Sequence, residues 1–366
     1  MNGPARYMTA LRHSATLLIL VWLLGVPVTA GEARPARTVA GSSSAVSAAP
    51  AVALDAAASA AANLKCLHSL LVSWRGELIL ERYFNGTRAT RPANIKSASK
   101  SVISALVGIA IDRGLIAGVK QPIGSFFPDV LVKDPTKRTI TIEDLLTMRS
   151  GLETTSNRNY GAWVRSSNWV RFAINQPFVS RPGTDMEYST GNSHLLSAIL
   201  TKVTGTNTLR FAQDTLAKPL GFTLAPWPRD PQGIYFGGND MLMTPRQMIS
   251  FGELYLNRGQ VDGRQVIPAS WVEASLLPRA QSRRESDRYY GYGWWIRQLA
   301  GHQTYYAWGF GGQFIFIVPD LDLVIVTTSS STVAEERYDH RRTVYYLVEN
   351  EIIAPISAAA TGSLSR

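Results

Sequence analysis

The chain has 366 residues, of which 45% are hydrophobic and 17% charged, a composition typical of a globular protein with a large core. The formal net charge is +10, but the basic residues are scattered and no nucleic-acid-recognition motif accompanies them. Such scattered charge is typical of a solvated surface. We therefore expect no nucleic-acid partner.

The first 30 residues have the charge order of a secretory signal. Arg6 and Arg12 precede an apolar run at 15–26, and small residues at 28–30 suit cleavage by signal peptidase. The run is short for a membrane span. We expect residues 1–30 to be a signal peptide and the mature protein to be periplasmic or secreted, without stable membrane insertion. An uncleaved N-terminal anchor is the alternative.

A linker, a single domain and a short tail are predicted after the first 30 residues. Residues 31–64 are rich in Ala and Ser, have few large side chains, and are predicted to be a linker. A single domain is expected at 65–356, followed by a C-terminal tail at 357–366. Cys66 is the only cysteine, so no disulfide can form within the chain, and we interpret it as a small buried hydrophobe.

Strand and helix patterns begin near residue 67. Two strand-type runs at 69–74 and 78–83, separated by a turn that contains Gly76, predict a β-hairpin. Residues 101–113 carry apolar side chains on nearly all faces, which predicts a helix in the middle of the core. Gly114 is well placed to end that helix.

The middle of the chain is predicted to be helical. Capping-box patterns at Thr141 and Thr244 each begin a helix, the first with Asp in place of the usual Glu or Gln. A third periodic run at 195–203 stops at Gly205.

The pattern changes after about residue 289. Four β-branched and aromatic runs, separated by turn signals, predict an antiparallel meander at 294–298, 304–310, 313–318 and 323–328. A closing helix is expected at 341–353. The predicted fold class is mixed α/β (an α+β sandwich): an antiparallel sheet built from both ends of the chain, flanked by helices, with an inserted helical lobe. Ligand sites tend to lie in the cleft between two such lobes.

A candidate nucleophile and base precede the buried helix. Ser97 and Lys100 are three residues apart, so on one helical turn they can reach each other. Desolvation disfavours the charged form of a lysine, and a neutral lysine can take the proton of a serine hydroxyl. A helix N-terminus would favour the negative charge that develops there. The alternative is a helix-capping serine with a solvated lysine, but the apolar helix that follows favours a protected Lys100.

Two later segments carry further candidates. Tyr188 follows a turn at 181–183 and precedes a helix, where a phenol can relay protons between nucleophile and leaving group. A core tyrosine is the alternative. The glycine-rich run at 307–313 ends a strand and lets backbone approach a ligand closely. A main-chain N–H there, with that of Ser97, would give the two donors that acyl transfer needs, although a hairpin turn fits the run equally well.

In this order, the elements resemble the serine β-lactamase and penicillin-binding-protein superfamily. The resemblance is to its class C-like branch, specifically to 6-aminohexanoate-dimer hydrolases and related serine esterases, and runs from about residue 67 to residue 353. The matching segments are 97–101, 143–152, the loop at Tyr188, 218–221 and 309–313.

The resemblance implies an acyl-enzyme mechanism. Ser97 would be acylated, Lys100 would take and return its proton, and Tyr188 would assist. The backbone N–H groups of Ser97 and Phe310 would form the oxyanion hole. The other substrate-binding positions would be Gly309, Trp308 and Thr190. No metal and no cofactor is implied.

Two departures from the family's pattern bear on the substrate. The middle motif usually has Asn two residues after Tyr, where this chain has Thr190, and Asn192 follows two residues later. The third motif usually begins with Lys or His, which meets the carboxylate of β-lactams and peptidoglycan peptides, and this chain has Ala307. That loss argues against both substrates unless an arginine elsewhere compensates. An apolar Trp308 suits an ester or a less charged amide.

The sequence therefore predicts an exported serine hydrolase whose small-molecule substrates are carboxylic esters or small linear amides. The first alternative is a β-lactamase or a D-Ala-D-Ala carboxypeptidase. The second is a catalytically silent protein that binds cell-wall fragments in the same cleft. Silent relatives would be expected to lose the serine, lysine or tyrosine, and this chain keeps all three.

Overall fold

The computed structural model describes residues 48–131, 134–332 and 337–362. The predicted signal peptide, 1–30, and the first part of the predicted linker lie outside these residues. Within the described part of the chain, no helix is both long enough and apolar enough to cross a membrane.

The strands belong to one large antiparallel sheet and two small ribbons. Their bounds are β1 Leu67–Trp74, β2 Glu77–Tyr83, β3 Ala93–Asn94, β4 Leu242–Met243, β5 Gln260–Val261, β6 Arg264–Gln265, β7 Ala280–Gln281, β8 Tyr289–Tyr290, β9 Trp295–Leu299, β10 His302–Gly309, β11 Gln313–Val318 and β12 Leu323–Ser329. The large sheet has the order β2-β1-β12-β11-β10-β9-β8-β7, and β3 pairs with β4 and β5 with β6.

The helices lie between and after these strands. Their bounds are α1 Ala48–Ala62, α2 Ser99–Asp112, α3 Ile142–Leu146, α4 Tyr160–Arg165, α5 Trp169–Ile174, α6 Thr190–Thr204, α7 Thr208–Ala212, α8 Pro245–Leu256, α9 Ala269–Ser275, α10 Arg337–Val348 and α11 Ala354–Gly362. A π-helical turn at Glu349–Ile353 joins α10 to α11, so the predicted closing helix runs further in both directions than expected.

The sheet is built from both ends of the chain, as predicted. β1 pairs antiparallel with β12, with Leu71 opposite Val326, and β9 to β12 form the predicted meander. All residues of β11 and β12 are buried, because helices cover both faces of the central strands. The predicted fold class is confirmed.

The two faces of the sheet carry different helices. Ala307, Ile315 and Val324 face a core that they share with α2, α6 and α8. Phe314 and Ile325, their neighbours along the strands, face the other core, which is closed by α1, α10 and α11. This alternation follows the two-residue period of a strand.

The structure differs from two expected boundaries. Residues 48–62 were expected to be linker, but they form α1, in which Leu54 and Ala57 are buried. Small side chains let this helix pack closely against β1 and the C-terminal helices. The predicted tail at 357–366 is helical as far as the end of α11.

The predicted helix caps agree with the structure. The capping boxes at Thr141 and Thr244 are both formed. α6 ends at Gly205 in the left-handed region, with φ +64°. α2 begins two residues before the predicted start, which brings Lys100 into the helix. Cys66 is buried, as expected.

Candidate active site

Ser97 and Lys100 lie where a short turn leads into α2. Ser97 belongs to the 3-10 turn Lys96–Ala98, and α2 begins at the next residue. Lys100 Nζ is 3.0 Å from Ser97 Oγ, and the Lys100 residue is only 3% exposed. Burial lowers the pKa of Lys100 to about 7, although the negative charge of Asp240 acts in the opposite direction. A large fraction of Lys100 is therefore neutral near pH 7.

Among the residues that the structure describes, Lys100 Nζ has three hydrogen-bonding neighbours. The carbonyl oxygen of Gly238 is 2.6 Å away, Thr190 Oγ1 is 3.3 Å away, and Ser97 Oγ is the third. A neutral amine has two N–H bonds and one lone pair. If the N–H bonds go to Gly238 and Thr190, the lone pair faces the Ser97 hydroxyl, which is the arrangement a general base requires.

Tyr188 completes a group of three with Ser97 and Lys100. Lys100 Nζ lies 5.1 Å from the centre of the Tyr188 ring, and that ring stacks on Trp295 at 5.7 Å. Burial raises the pKa of the Tyr188 phenol, and its hydrogen bond with Ser97 opposes the rise. The phenol is therefore protonated at neutral pH and can donate a proton but cannot serve as a base.

Thr190 lies in the site and Asn192 does not. The Thr190 hydroxyl contacts Lys100 on one side and Ser156 Oγ, 2.9 Å away, on the other. Ser156 also accepts the backbone N–H of Thr190. The Asn192 side chain is bonded instead to Ser150, at 3.0 Å. Thr190 therefore takes the position next to Lys100 that the family's Asn would be expected to take.

Gly309 brings the end of β10 against the segment that carries the nucleophile. A Cβ atom on Gly309 would lie 2.1 Å from the carbonyl oxygen of Ile95, so a larger residue cannot be placed there without moving backbone. The next residue, Phe310, is 52% exposed. The oxyanion role of the Ser97 and Phe310 N–H groups stays a prediction.

Trp308 lies on the other face of β10 from Ala307. Its ring is 5.8 Å from Trp295, so an aromatic series runs from Tyr188 through Trp295 to Trp308. The guanidinium carbon of Arg288 lies 5.4 Å from the centre of the Trp308 ring, and that of Arg341 lies 5.2 Å from it. Trp308 is thus connected to Tyr188 through the ring of Trp295.

The sequence did not reveal the loop at 237–240 as part of the site. It carries the Gly238 carbonyl that accepts from Lys100, and Asp240, whose charge acts on Lys100. Two glycines followed by Asn and Asp indicate a turn. No spacing rule, however, connects a turn to a lysine 138 positions earlier in the chain.

Metal-ligand clusters are absent from the part of the chain that the structure describes. Among those residues, no three His, Cys, Asp or Glu side chains are grouped so that they could hold a metal ion.

A sequence comparison identifies the family. The sequence model of the beta-lactamase family matches residues 60–348. The chain belongs to the beta-lactamase family. This family member is 26% identical over 352 residues to the 6-aminohexanoate-dimer hydrolase of Paenarthrobacter ureafaciens, an alignment that covers 85% of this chain and 86% of the relative. The predicted resemblance is confirmed, and the protein is a serine hydrolase.

Solved structures with the same fold include two that are 16% identical to this chain. One is the octameric penicillin-binding protein homologue from Pyrococcus abyssi, with a TM-score of 0.61, 16% identity, and coverage of 83% of this chain and 76% of that one. Another is EstCE1, described as a hydrolase with promiscuous acyltransferase activity, with a TM-score of 0.65, 16% identity, and coverage of 81% and 99%.

Proposed function

We propose that the protein hydrolyses carboxylic esters or small linear amides through an acyl-enzyme on Ser97. The observation that carries this proposal is the 3.0 Å contact between Ser97 Oγ and a buried Lys100 whose pKa is lowered to about 7. A serine hydroxyl needs such a base to attack a carbonyl carbon.

The proposed reaction has three proton transfers in its acylation half and two in its deacylation half. Lys100 takes the proton of Ser97 as Oγ bonds to the carbonyl carbon, which places negative charge on the carbonyl oxygen. When the bond to the leaving group breaks, the protonated phenol of Tyr188 donates to the leaving oxygen or nitrogen, and Lys100 returns a proton to Tyr188. Water then attacks the acyl carbon while Lys100 takes one of its protons, and Lys100 passes that proton to Ser97 Oγ as the acyl bond breaks, which regenerates Ser97.

Neutral substrates are favoured by the third motif. Ala307 offers no cation for a substrate carboxylate, and the nearby rings of Tyr188, Trp295 and Trp308 are apolar or neutral. A relative that matches most of the chain is named 6-aminohexanoate-dimer hydrolase. These points support small esters and linear amides as substrates of this chain.

A burst assay with p-nitrophenyl butyrate tests the nucleophile. We expect rapid release of p-nitrophenol equal to the enzyme concentration, then a slower steady rate, and loss of both phases in Ser97→Ala. Ser125→Ala, at an exposed serine, is the matched control and should keep the burst. A burst that survives in Ser97→Ala would assign the nucleophile elsewhere. No release from any of the three proteins, with release from a linear amide also absent, would reject the proposed activity.

One observation favours a second candidate function, hydrolysis of β-lactams or peptidoglycan peptides. Arg341 and Arg288 lie beside Trp308 in the third motif, and both contact Glu285. Covalent labelling by a fluorescent penicillin that is lost in both Ser97→Ala and Arg341→Gln would support this function. An unlabelled wild-type protein would exclude it.

We also propose that the protein is exported and that its partner is a small-molecule substrate. The support is the charge order and apolar run of residues 1–30. Mass spectrometry of protein recovered outside the cytoplasm would show a mature chain beginning after Ala30. Recovery of the whole chain from the cytoplasm alone would contradict export.

A further inference from the structure

Lys96 and Asp240 form an ion pair next to the segment that carries Ser97. Lys96 Nζ is 2.9 Å from Asp240 Oδ1, and the two side chains are 23% and 22% exposed. Lys96 precedes the nucleophile Ser97, and Asp240 lies two residues after Gly238, whose carbonyl accepts from Lys100. The pair therefore joins the segment that carries the nucleophile to the loop that holds the base.

Both residues of the pair have unusual backbone. Lys96 has φ +50° and Asp240 has φ +58°, in the left-handed region that non-glycine residues rarely adopt. Such conformations persist when surrounding contacts determine them, and they are common near active sites. Here Asn94 supplies those contacts, because its side chain accepts from the Lys96 N–H at 3.0 Å and donates to Asp240 Oδ1 at 2.7 Å.

The backbones of the two segments are also joined. The Ile95 N–H donates to the Met241 carbonyl at 2.9 Å, and Asn94 pairs with Leu242 in the β3–β4 ribbon. The positions of the two charges relative to Lys100 are thus fixed by main-chain as well as side-chain bonds.

We propose that Asp240 and Lys96 are positioning residues that together set the charge state of Lys100, an inference that rests on the proposed function. The carboxylate of Asp240 favours protonated Lys100. Lys96 offsets that effect, because its ammonium group lies 2.9 Å from the Asp240 carboxylate and neutralises it. Burial is the main cause of the lowered Lys100 pKa, and the pair limits how far Asp240 raises that pKa.

The other groups that face Lys100 do not change charge in the relevant range. Ser97 and Thr190 are hydroxyls, and Gly238 presents a carbonyl. Burial raises the pKa of Tyr188, and burial and then Asp240 raise the pKa of Tyr160, whose hydroxyl accepts from Asn239 in the same loop. Both tyrosines stay neutral while Lys100 titrates. A change in the pH profile can therefore be assigned to Lys100.

Opposite shifts in two variants test the proposal. The ratio kcat/KM for p-nitrophenyl butyrate should rise as Lys100 loses its proton, with a wild-type midpoint set by a Lys100 pKa of about 7. Asp240→Asn keeps an acceptor oxygen for Asn94 and removes the negative charge, so the midpoint should fall by about half a pH unit or more. Lys96→Met keeps the length of the side chain and removes the positive charge, so the midpoint should rise by a similar amount.

Two further variants separate this role from a structural one. Lys96→Arg keeps the charge and should keep the wild-type midpoint, and the double variant Asp240→Asn, Lys96→Met should return close to it. If both single variants lost kcat equally and the midpoints of their pH profiles did not shift in opposite directions, the inference would be overturned. A burst that depends on Ser97 would still support the proposed function in that case. A wild-type protein without a Ser97-dependent burst would overturn the function, and this inference with it.

Discussion

Lys100 and Tyr188 lie in one buried environment, and it shifts their pKa values in opposite directions. Burial disfavours the charged form of each group, so it lowers the pKa of the lysine and raises that of the tyrosine. Near pH 7 the lysine has an available lone pair and the phenol has an available proton. The proposed division into base and acid therefore follows chiefly from burial, and the inferred effect of the Lys96–Asp240 pair adds to it.

Removing the phenol oxygen should separate proton transfer from packing. In Tyr188→Phe the ring can still stack on Trp295, but no proton can be donated to the leaving group. We expect kcat to fall by about 10²–10⁴-fold, the usual contribution of a general acid or base, with an unchanged melting temperature. The measurement is steady-state hydrolysis of an alkyl ester, whose poor leaving group needs protonation.

Tyr346→Phe is the matched control, because Tyr346 is exposed on α10. It should keep the wild-type rate. If Tyr188→Phe also kept most of the rate, proton donation would fall to Lys100 alone.

At this scale the sequence predicted what lies close together along the chain. Ser97 and Lys100 are within one turn of each other, so their contact followed from helix geometry. Tyr188 and Thr190 could be placed only through family resemblance, because Thr190 meets Lys100 across 90 residues of chain and Tyr188 across a similar separation. The Gly238 carbonyl carries no side-chain signal at all, and only the structure identifies it.

At the scale of elements, a buried pair holds the loop that presents the Gly238 carbonyl. The side chains of His194 on α6 and Asp230 are fully buried, and His194 Nε2 is 2.9 Å from Asp230 Oδ2. The other ring nitrogen, Nδ1, accepts the Gly237 N–H at 3.3 Å. A donor at Nε2 and an acceptor at Nδ1 correspond to one neutral tautomer. α6 therefore positions Thr190 at its first residue and holds the 237–240 loop through His194, one helical turn further on.

Gly238 is the position in this loop where a side chain should be most damaging. Its φ is +115°, and a Cβ atom would lie 2.7 Å from Ser193 Cβ and 2.9 Å from Lys100 Cγ. In Gly238→Ala either Lys100 or the loop must move. We expect kcat/KM to fall by about 10²-fold, the effect of a displacement of about 1 Å in a catalytic group. Ester hydrolysis measures this loss.

Gly221→Ala controls for backbone strain. Gly221 also has positive φ, +76°, but no atom of the described residues lies within 4 Å of the position that a Cβ atom would take. The variant should lose about 1 kcal/mol of unfolding free energy and keep its activity. Equal activity losses in the two variants would mean that strain in the chain, not contact with Lys100, limits the rate.

At the scale of the whole molecule, the sheet order explains which predictions succeeded. Local periodicity gave the hairpin, the buried helix and the meander, because each depends on residues that are close in sequence. The pairing of β1 with β12 followed from the arrangement of strands at both ends of the chain. The linker expectation failed because composition measures how much apolar surface a segment can bury alone. It does not reveal that a neighbouring surface, here the α10 and α11 side of the sheet, is available for docking.

Docking of α1 predicts a stability effect that a linker would not show. Leu54 is 5% exposed in the core that includes Ile352 and Ile356. Leu54→Ala should lower the free energy of unfolding by about 2–4 kcal/mol, through lost transfer energy and the cavity left behind. Leu277→Ala, at a mostly exposed leucine, should change it by less than about 0.5 kcal/mol. Urea unfolding of both variants measures the difference. Equally small changes in unfolding free energy would indicate that residues 48–62 act as a linker. The expected difference would indicate that α1 is part of the folded domain.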